Sequence, residues 1–390
     1  MRFTFGIQFL LAAIIAVGPL STDVYLPAFP VIEAEFGSGP GSAQATLAAW
    51  FIGLGFGQLM HGVLSDRFGR RAPLVVANLL YAAASAGCAL APDMASLSAF
   101  RVLAAMAGAA GMVIPRAMVR DVSEGNEAAR ILSRMMLIMG VAPIVAPSLG
   151  GLVTEFWSWR VIFWLSAVYG LVCAVLVFIL LPDTLAREKR HAIALASFLA
   201  RVSHVLRDRV FLLHAATTGT MFFSLFACLS GAPSAFATGF GMRPGVFGVV
   251  SGGVAASFII GSQLNARLIG SIGVHRMLHI AVRMLLPGVL LVAVAVWTGA
   301  GLWLLIPPLC STAFCHGMAS PNATAGALTR HAANAGIASA LFGLIQFGMG
   351  GLAALAAGML ADGTFKPIVG LMLLGAIGAL AADWFRPKAF

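Results

Sequence analysis

One carboxylate, Asp23, stands well inside the long apolar runs of this 390-residue chain. It lies in GPLSTDVYLPAFP, residues 18–30, with prolines following at 27 and 30. A carboxyl in that setting can bind and release a proton, because loss of water penalises its charged form while a nearby cation favours it. Arg101, in LSAFR, is a cation that cannot be neutralised in practice, so inside an apolar segment it must face a cavity or a partner. Each residue has two readings. Asp23 is either a proton carrier or a solvated acid at a helix end, and Arg101 either faces a cavity or a partner or snorkels to the nearby interface. His316 is a second group able to titrate, the competing role being a packed, hydrogen-bonded imidazole.

Two further constellations carry mechanics. In GVLSDRFGRR, residues 62–71, Gly62 permits close helix approach, Gly69 a tight turn, and Asp66 can sit at the positive end of a facing helix, with Arg67, Arg70 and Arg71 beside it. In APIVAPSLGG, residues 142–151, Pro143 and Pro147 kink a helix while Ala146, Gly150 and Gly151 let a neighbour come close. Adaptable aromatic and thioether side chains, among them Trp50, Met112, Met139, Phe223 and Phe226, would suit a cavity for varied hydrophobic substrates, with Tyr25 and Gln346 as polar contacts.

These residues need membrane helices to position them. The chain is 60% apolar and only 10% charged, with a mean hydropathy of +0.96, far from a soluble domain. Apolar runs long enough to cross about 30 Å of hydrocarbon recur, and twelve spans are predicted, at 6–28, 44–64, 72–91, 95–118, 132–154, 160–181, 210–230, 246–265, 277–297, 302–325, 333–357 and 367–385. The net charge of +10 reflects topology, not nucleic-acid binding. With both termini cytoplasmic, 19 of the 24 Lys and Arg residues fall on the inner side. The start of the chain reads as an uncleaved first span. Residues 183–209 form a basic, amphipathic cytoplasmic linker, with apolar positions Ile193, Leu195, Phe198, Leu199, Val202 and Leu206 at helical spacing. It separates six-span halves at 1–182 and 210–390, in which Gly69 and Arg71 match Gly273 and His275 in place. The five cysteines show no metal or disulfide spacing, and the sequon at Asn322 and the glycines at 53, 55 and 57 lie within spans, where helix packing explains them.

GVLSDRFGRR closely resembles the loop signature G-x-L-x-D-R-x-G-R-R of the major facilitator superfamily. APIVAPSLGG is similar to that family's antiporter signature g-x-x-x-G-P-x-x-G-G, with alanines at both leading glycines. LSAFRVLA resembles its L-x-x-x-R motif, with Ala104 in place of the usual Gln. Asp23-Val-Tyr25-Leu-Pro27 with Phe29-Pro30 looks like the first-span motif of drug:proton antiporters, most like the Bcr/CflA multidrug-resistance branch. Trp159-Arg160-x-x-Phe163 also stands where such a sequence often opens span 6.

The resemblance covers nearly the whole chain and implies an all-α polytopic fold of twelve helices in two pseudo-symmetric six-helix bundles. It implies a latch of Gly62, Asp66, Arg67, Gly69, Arg70, Arg71 and Asp121, in which Asp66 meets the start of span 11 near Asn334 and Ala335 and Arg70 pairs with Asp121. Asp23 would alternate between protonated and substrate-facing states, with Arg101 assisting proton transfer. The implied function is a proton-coupled antiporter, not an enzyme, that exports small, mostly hydrophobic drugs across the bacterial inner membrane. Its expected partners are substrate, protons and lipids, without nucleic acid, metal or cofactor, and it is expected to act as a monomer. The alternative is an exporter of a metabolite such as an amino acid or sugar.

Overall fold

The computed structural model describes residues 3–123, 125–186, 188, 190, 195–331 and 334–386. Arg2, Arg187, Lys189, Ile193 and Lys388, and the side chains of Met139 and Leu195, lie outside the described residues. The described chain is helical throughout, without strands: α1 (Phe5–Asp23), a 3-10 turn (Leu26–Ala28), α2 (Phe29–Glu35), α3 (Gln44–Phe68), α4 (Arg71–Ala89), α5 (Met94–Val122), α6 (Gly125–Phe156), α7 (Arg160–Leu180), α8 (Leu195–Leu206), α9 (Arg209–Phe240), α10 (Pro244–Ile272), α11 (Val274–Trp297), α12 (Leu302–Leu328), α13 (Ala335–Met359) and α14 (Lys366–Trp384). Among the described residues 11 segments are long and apolar enough to cross a membrane, the first being α1, the turn and α2 taken together as Phe5–Glu35. The expected fifth span lies in α6, where the described apolar stretch is the shorter Gly140–Phe156.

Asp23 is the last residue of α1, and the apolar helical segment continues past it to Glu35. Pro27 has no N–H to donate to the Asp23 carbonyl four residues back, so the helix breaks. The same prolines suit a helix start: Pro27 opens the 3-10 turn and Pro30 sits in the first turn of α2. The span therefore continues 12 residues beyond Asp23, to Glu35, roughly 18 Å at helical rise. Asp23 thus stands at a break within one continuous apolar segment, with a further helix following it.

Helices α1 and α3–α7 pack mainly on one another, as do α9–α14, and the two sets meet along α3 against α13 and α6 against α10. The turns after α3 and α10 both rest on a glycine with positive φ, Gly69 at 88° and Gly273 at 87°, which only glycine adopts without strain. Helix α8 is observed where the amphipathic linker was expected and packs on α9 and α13. Its inward face differs from the expected one: Val205 is buried, whereas Leu199 and Leu206 are exposed.

Candidate functional site

At the end of the molecule that carries the Gly62–Arg71 loop, the two helix sets part around a cavity of about 430 Å³. Gln58, Asp66 and Arg70 of α3 and its turn, Met112 and Arg116 of α5, and Asn334 to Ala340 at the start of α13 line it. Gln58 donates to the Met112 sulfur at 3.9 Å at its deep end. Seven residues further along both α3 and α13, about 10 Å at helical rise, the path is plugged by rings. Phe51 of α3 meets Phe226 of α9 edge-on at 4.5 Å and stacks on Phe347 of α13 at 5.8 Å, with Phe222 packed on both Phe226 and Phe347.

Beyond the plug the sets are closed by backbone-close packing. The Pro147 carbonyl lies where a side chain on Gly248 would stand, the Pro244 carbonyl does the same at Gly151, and the Ser148 hydroxyl donates to the Gly248 carbonyl at 3.3 Å. Pro147, Gly150 and Gly151 of the antiporter-like stretch thus sit at or beside this seam, with Ala146 buried next to them. Gly150 faces the other way, onto the Val24 carbonyl at the break after Asp23. Glu33 of α2 is buried in the seam. It accepts from the Gly41 and Ala43 amides at 2.9 and 3.1 Å and from Ser234 of α9 at 3.4 Å. Gln44 donates to the Ser230 carbonyl at 3.2 Å across the same seam.

Arg101 is 2% exposed, which removes the snorkelling reading. Its guanidinium carbon lies 4.4 Å from the Trp50 ring, 4.7 Å from Tyr25 and 5.8 Å from Phe163, and Nη1 donates to the Ser21 carbonyl at 3.0 Å. Nε and Nη2 have no acceptor among the described residues. Asp23 is half-buried two residues from Ser21, but it forms no ion pair with Arg101 in this arrangement. An aromatic cage, not the acid, holds the cation here. Tyr25 and Trp50, expected as substrate contacts, are fully buried in that cage. Tyr25 also hydrogen-bonds Thr46.

Both nitrogens of His316 meet backbone carbonyls, of Thr312 and Met221, at 2.7 and 2.8 Å, so the packed reading describes its geometry. Phe223 is buried on α9 and Gln346 half-buried on α13, next to Phe347 of the plug.

Arg70 organises the charged loop. Its side chain donates to Asp121 at 2.9 Å, to Asp66 at 2.5 Å and to Ser65 at 2.9 Å, while its amide donates to Asp183 at 2.9 Å. Arg71 reaches the Phe178 carbonyl, and Arg67 lies over the Phe68 ring. All these partners belong to the first helix set. Asp66 and Asn334 instead line the cavity, so the expected cross-link to the start of α13 is not made. Gly62 differs from expectation too: it faces the cavity, with nothing within 4 Å of where a side chain would begin. The arrangement is a set of helices open at one end and shut at the other, around a caged cation and a mid-span acid.

The Major Facilitator Superfamily model matches residues 11–357. The chain belongs to this superfamily of transporters. Within the superfamily it is 34% identical over 381 residues to the MFS-type transporter YdgK of Bacillus subtilis (strain 168), covering 96% of this chain and 94% of that one. It is 29% identical to the bicyclomycin resistance protein homolog of Haemophilus influenzae (strain ATCC 51907 / DSM 11121 / KW20 / Rd), over 86% of this chain and 84% of the relative. The crystal structure of a D-xylose-proton symporter superposes with a TM-score of 0.78 over 99% of both chains at 15% identity, which fixes the fold. The protein is therefore a multi-pass membrane transporter of the major facilitator fold, moving a small molecule, and not an enzyme.

Proposed function

We propose that the protein is a proton-coupled antiporter that exports small, mostly hydrophobic drugs or toxic compounds across a bacterial inner membrane. The arginine-rich end and both termini face the cytoplasm, since positive residues collect there. Halves at 1–182 and 210–390, joined by 183–209, rock about a central path, and the functional unit is a monomer without nucleic-acid partners. Drug export is supported by the bicyclomycin-resistance relative.

One observation supports the coupling: Arg101, with Nε and Nη2 unpaired among the described residues, holds the Ser21 carbonyl in the last turn of α1, which ends at Asp23 and the helix break. On this reading the break after Asp23 lets the backbone swing a deprotonated carboxylate toward those donors, and protonation returns them to the cage. Trp50 and Phe51 are adjacent in α3, one in the cage and the other in the plug, so a change at the acid is transmitted to the gate through one stretch of backbone. In the cycle, substrate enters the open cavity from the cytoplasm, Asp23 gives up its proton inward, and the seam opens outward for release and reprotonation. Each proton entering is worth about 2.3 kcal/mol per 100 mV of membrane potential, enough for a neutral-substrate gradient of nearly two decades.

Asp23→Asn tests this. Purified protein carrying it should bind substrate yet release no proton on binding, and vesicles should lose proton-driven transport. If both proton release and driven transport persist, the coupling acid lies elsewhere.

A further inference from the structure

Four arginines line the open cavity, Arg70, Arg116, Arg120 and Arg201, against two aspartates, Asp66 and Asp121. Both aspartates are already engaged by Arg70. Among the described residues no carboxylate pairs with Arg116, Arg120 or Arg201, so the cavity keeps a positive surplus. Arginines at this end of a membrane protein commonly serve topology by facing headgroups or bulk water. Arg116 is placed differently. It is half-buried on the cavity wall, one helical turn deeper than Arg120, and its Nε is shut from solvent without an acceptor. A guanidinium donor buried without a partner is costly, and a planar fork of N–H groups matches a carboxylate or sulfonate.

The wall is mixed, with Gln58 and Ser339 among its polar residues, but it holds a continuous apolar part. Met112 lies one turn deeper on the same face of α5, Val113 beside it, and Leu59, Val63, Ile337 and Ala340 complete the surround. A small inorganic anion would leave that surface wet, whereas a cavity of about 430 Å³ accommodates an apolar body of drug size. We infer that Arg116 is a substrate-recognition residue, and that the preferred cargo is an amphiphilic organic anion whose acidic group docks on its guanidinium while the apolar part lies toward Met112.

This inference deepens the export reading and rests on the cavity being the substrate path. Its test needs no ion gradient, so it stands apart from the proton-coupling experiment on Asp23. The full chain in lipid nanodiscs is titrated with three probes of matched shape: naphthalenesulfonate, naphthalenesulfonamide and naphthyltrimethylammonium. The sulfonate should bind about ten-fold tighter than the ammonium, as one charge-assisted pair predicts. Arg116→Gln should erase that preference by weakening the sulfonate far more than the sulfonamide, with the thermal unfolding midpoint reporting that the fold is kept. Arg116→Lys should restore part of it, and Arg201→Gln, at the mouth, should change it less than Arg116→Gln. The inference is overturned by equal affinity for the three probes, by a preference for the ammonium, by unaltered selectivity in Arg116→Gln, or by an equal loss in Arg201→Gln.

Discussion

A guanidinium buried without a carboxylate is held by what surrounds it, and for Arg101 that is three rings and one carbonyl. The cage keeps the cation desolvated but available, which a permanent ion pair with Asp23 would not. Trp50 makes the closest ring contact. Trp50→Leu should therefore lower unfolding stability by about 1–2 kcal/mol, with Trp50→Phe recovering part of the loss. Thermal unfolding in nanodiscs reads this, and an unchanged midpoint for Trp50→Leu would remove the cage as a holding device. The sequence marked Asp23 and Arg101 as special because ionisable groups are rare in apolar runs. It did not separate Trp50 and Tyr25, which serve the cage, from Phe226, which serves the plug. Lipid, a helix neighbour and a substrate all accept apolar side chains, so residue type alone does not assign the face. Arg116 was missed as a site for the related reason that it looked like one more topological charge.

At the scale of elements, the prolines and glycines were legible as breaks and close approaches, but their partners were not. Pro27 and Pro30 read equally well as an end and as a beginning, and only the continuation to Glu35 decides between them. Gly62 sits in a recognisable motif yet packs against nothing in this arrangement, because the partner helix stands across the cavity. Gly150 and Gly248 divide the labour of the seam region. Gly150 packs α6 onto the break in the first span, within one helix set, while Gly248 packs α10 onto α6, between sets. A methyl group added at either position meets a backbone carbonyl that cannot yield. Gly150→Ala should cost about 1–3 kcal/mol of stability by overpacking. Gly248→Ala should instead tip the molecule toward conformations in which the seam is open. Ser148→Cys in a cysteine-free background should then react faster with a membrane-impermeant maleimide when Gly248→Ala is added. Equal reactivity with and without the alanine would mean that the seam does not part there.

For the molecule as a whole, transport requires that the closed end open, so the shut seam is a state and not a permanent joint. An all-helical membrane fold could be read from the chain, since hydropathy acts over whole segments, and 11 of the predicted spans have a counterpart long and apolar enough to cross a membrane among the described residues. Which end is open could not, because both ends of such a path must be able to close. Gln44 and Gly358 face one another across the seam, with a side chain at Gly358 beginning 3.1 Å from the Gln44 Cβ and 2.4 Å from the Gly41 carbonyl oxygen, so α13 must shift outward slightly to accept one. The small outward shift that clears the Gly41 carbonyl also moves the 3.1 Å separation toward the Cβ spacing of a disulfide, about 3.5–4.5 Å. Gln44→Cys with Gly358→Cys, in a chain whose five native cysteines are replaced, should therefore cross-link on mild oxidation. The oxidised protein should stop transporting while still binding ligand in the arginine-lined cavity, and reduction should restore transport. The combination matters: loss of binding as well as transport would indicate distortion of the cavity, and transport undiminished by a complete cross-link would show that α3 and α13 need not separate at this end.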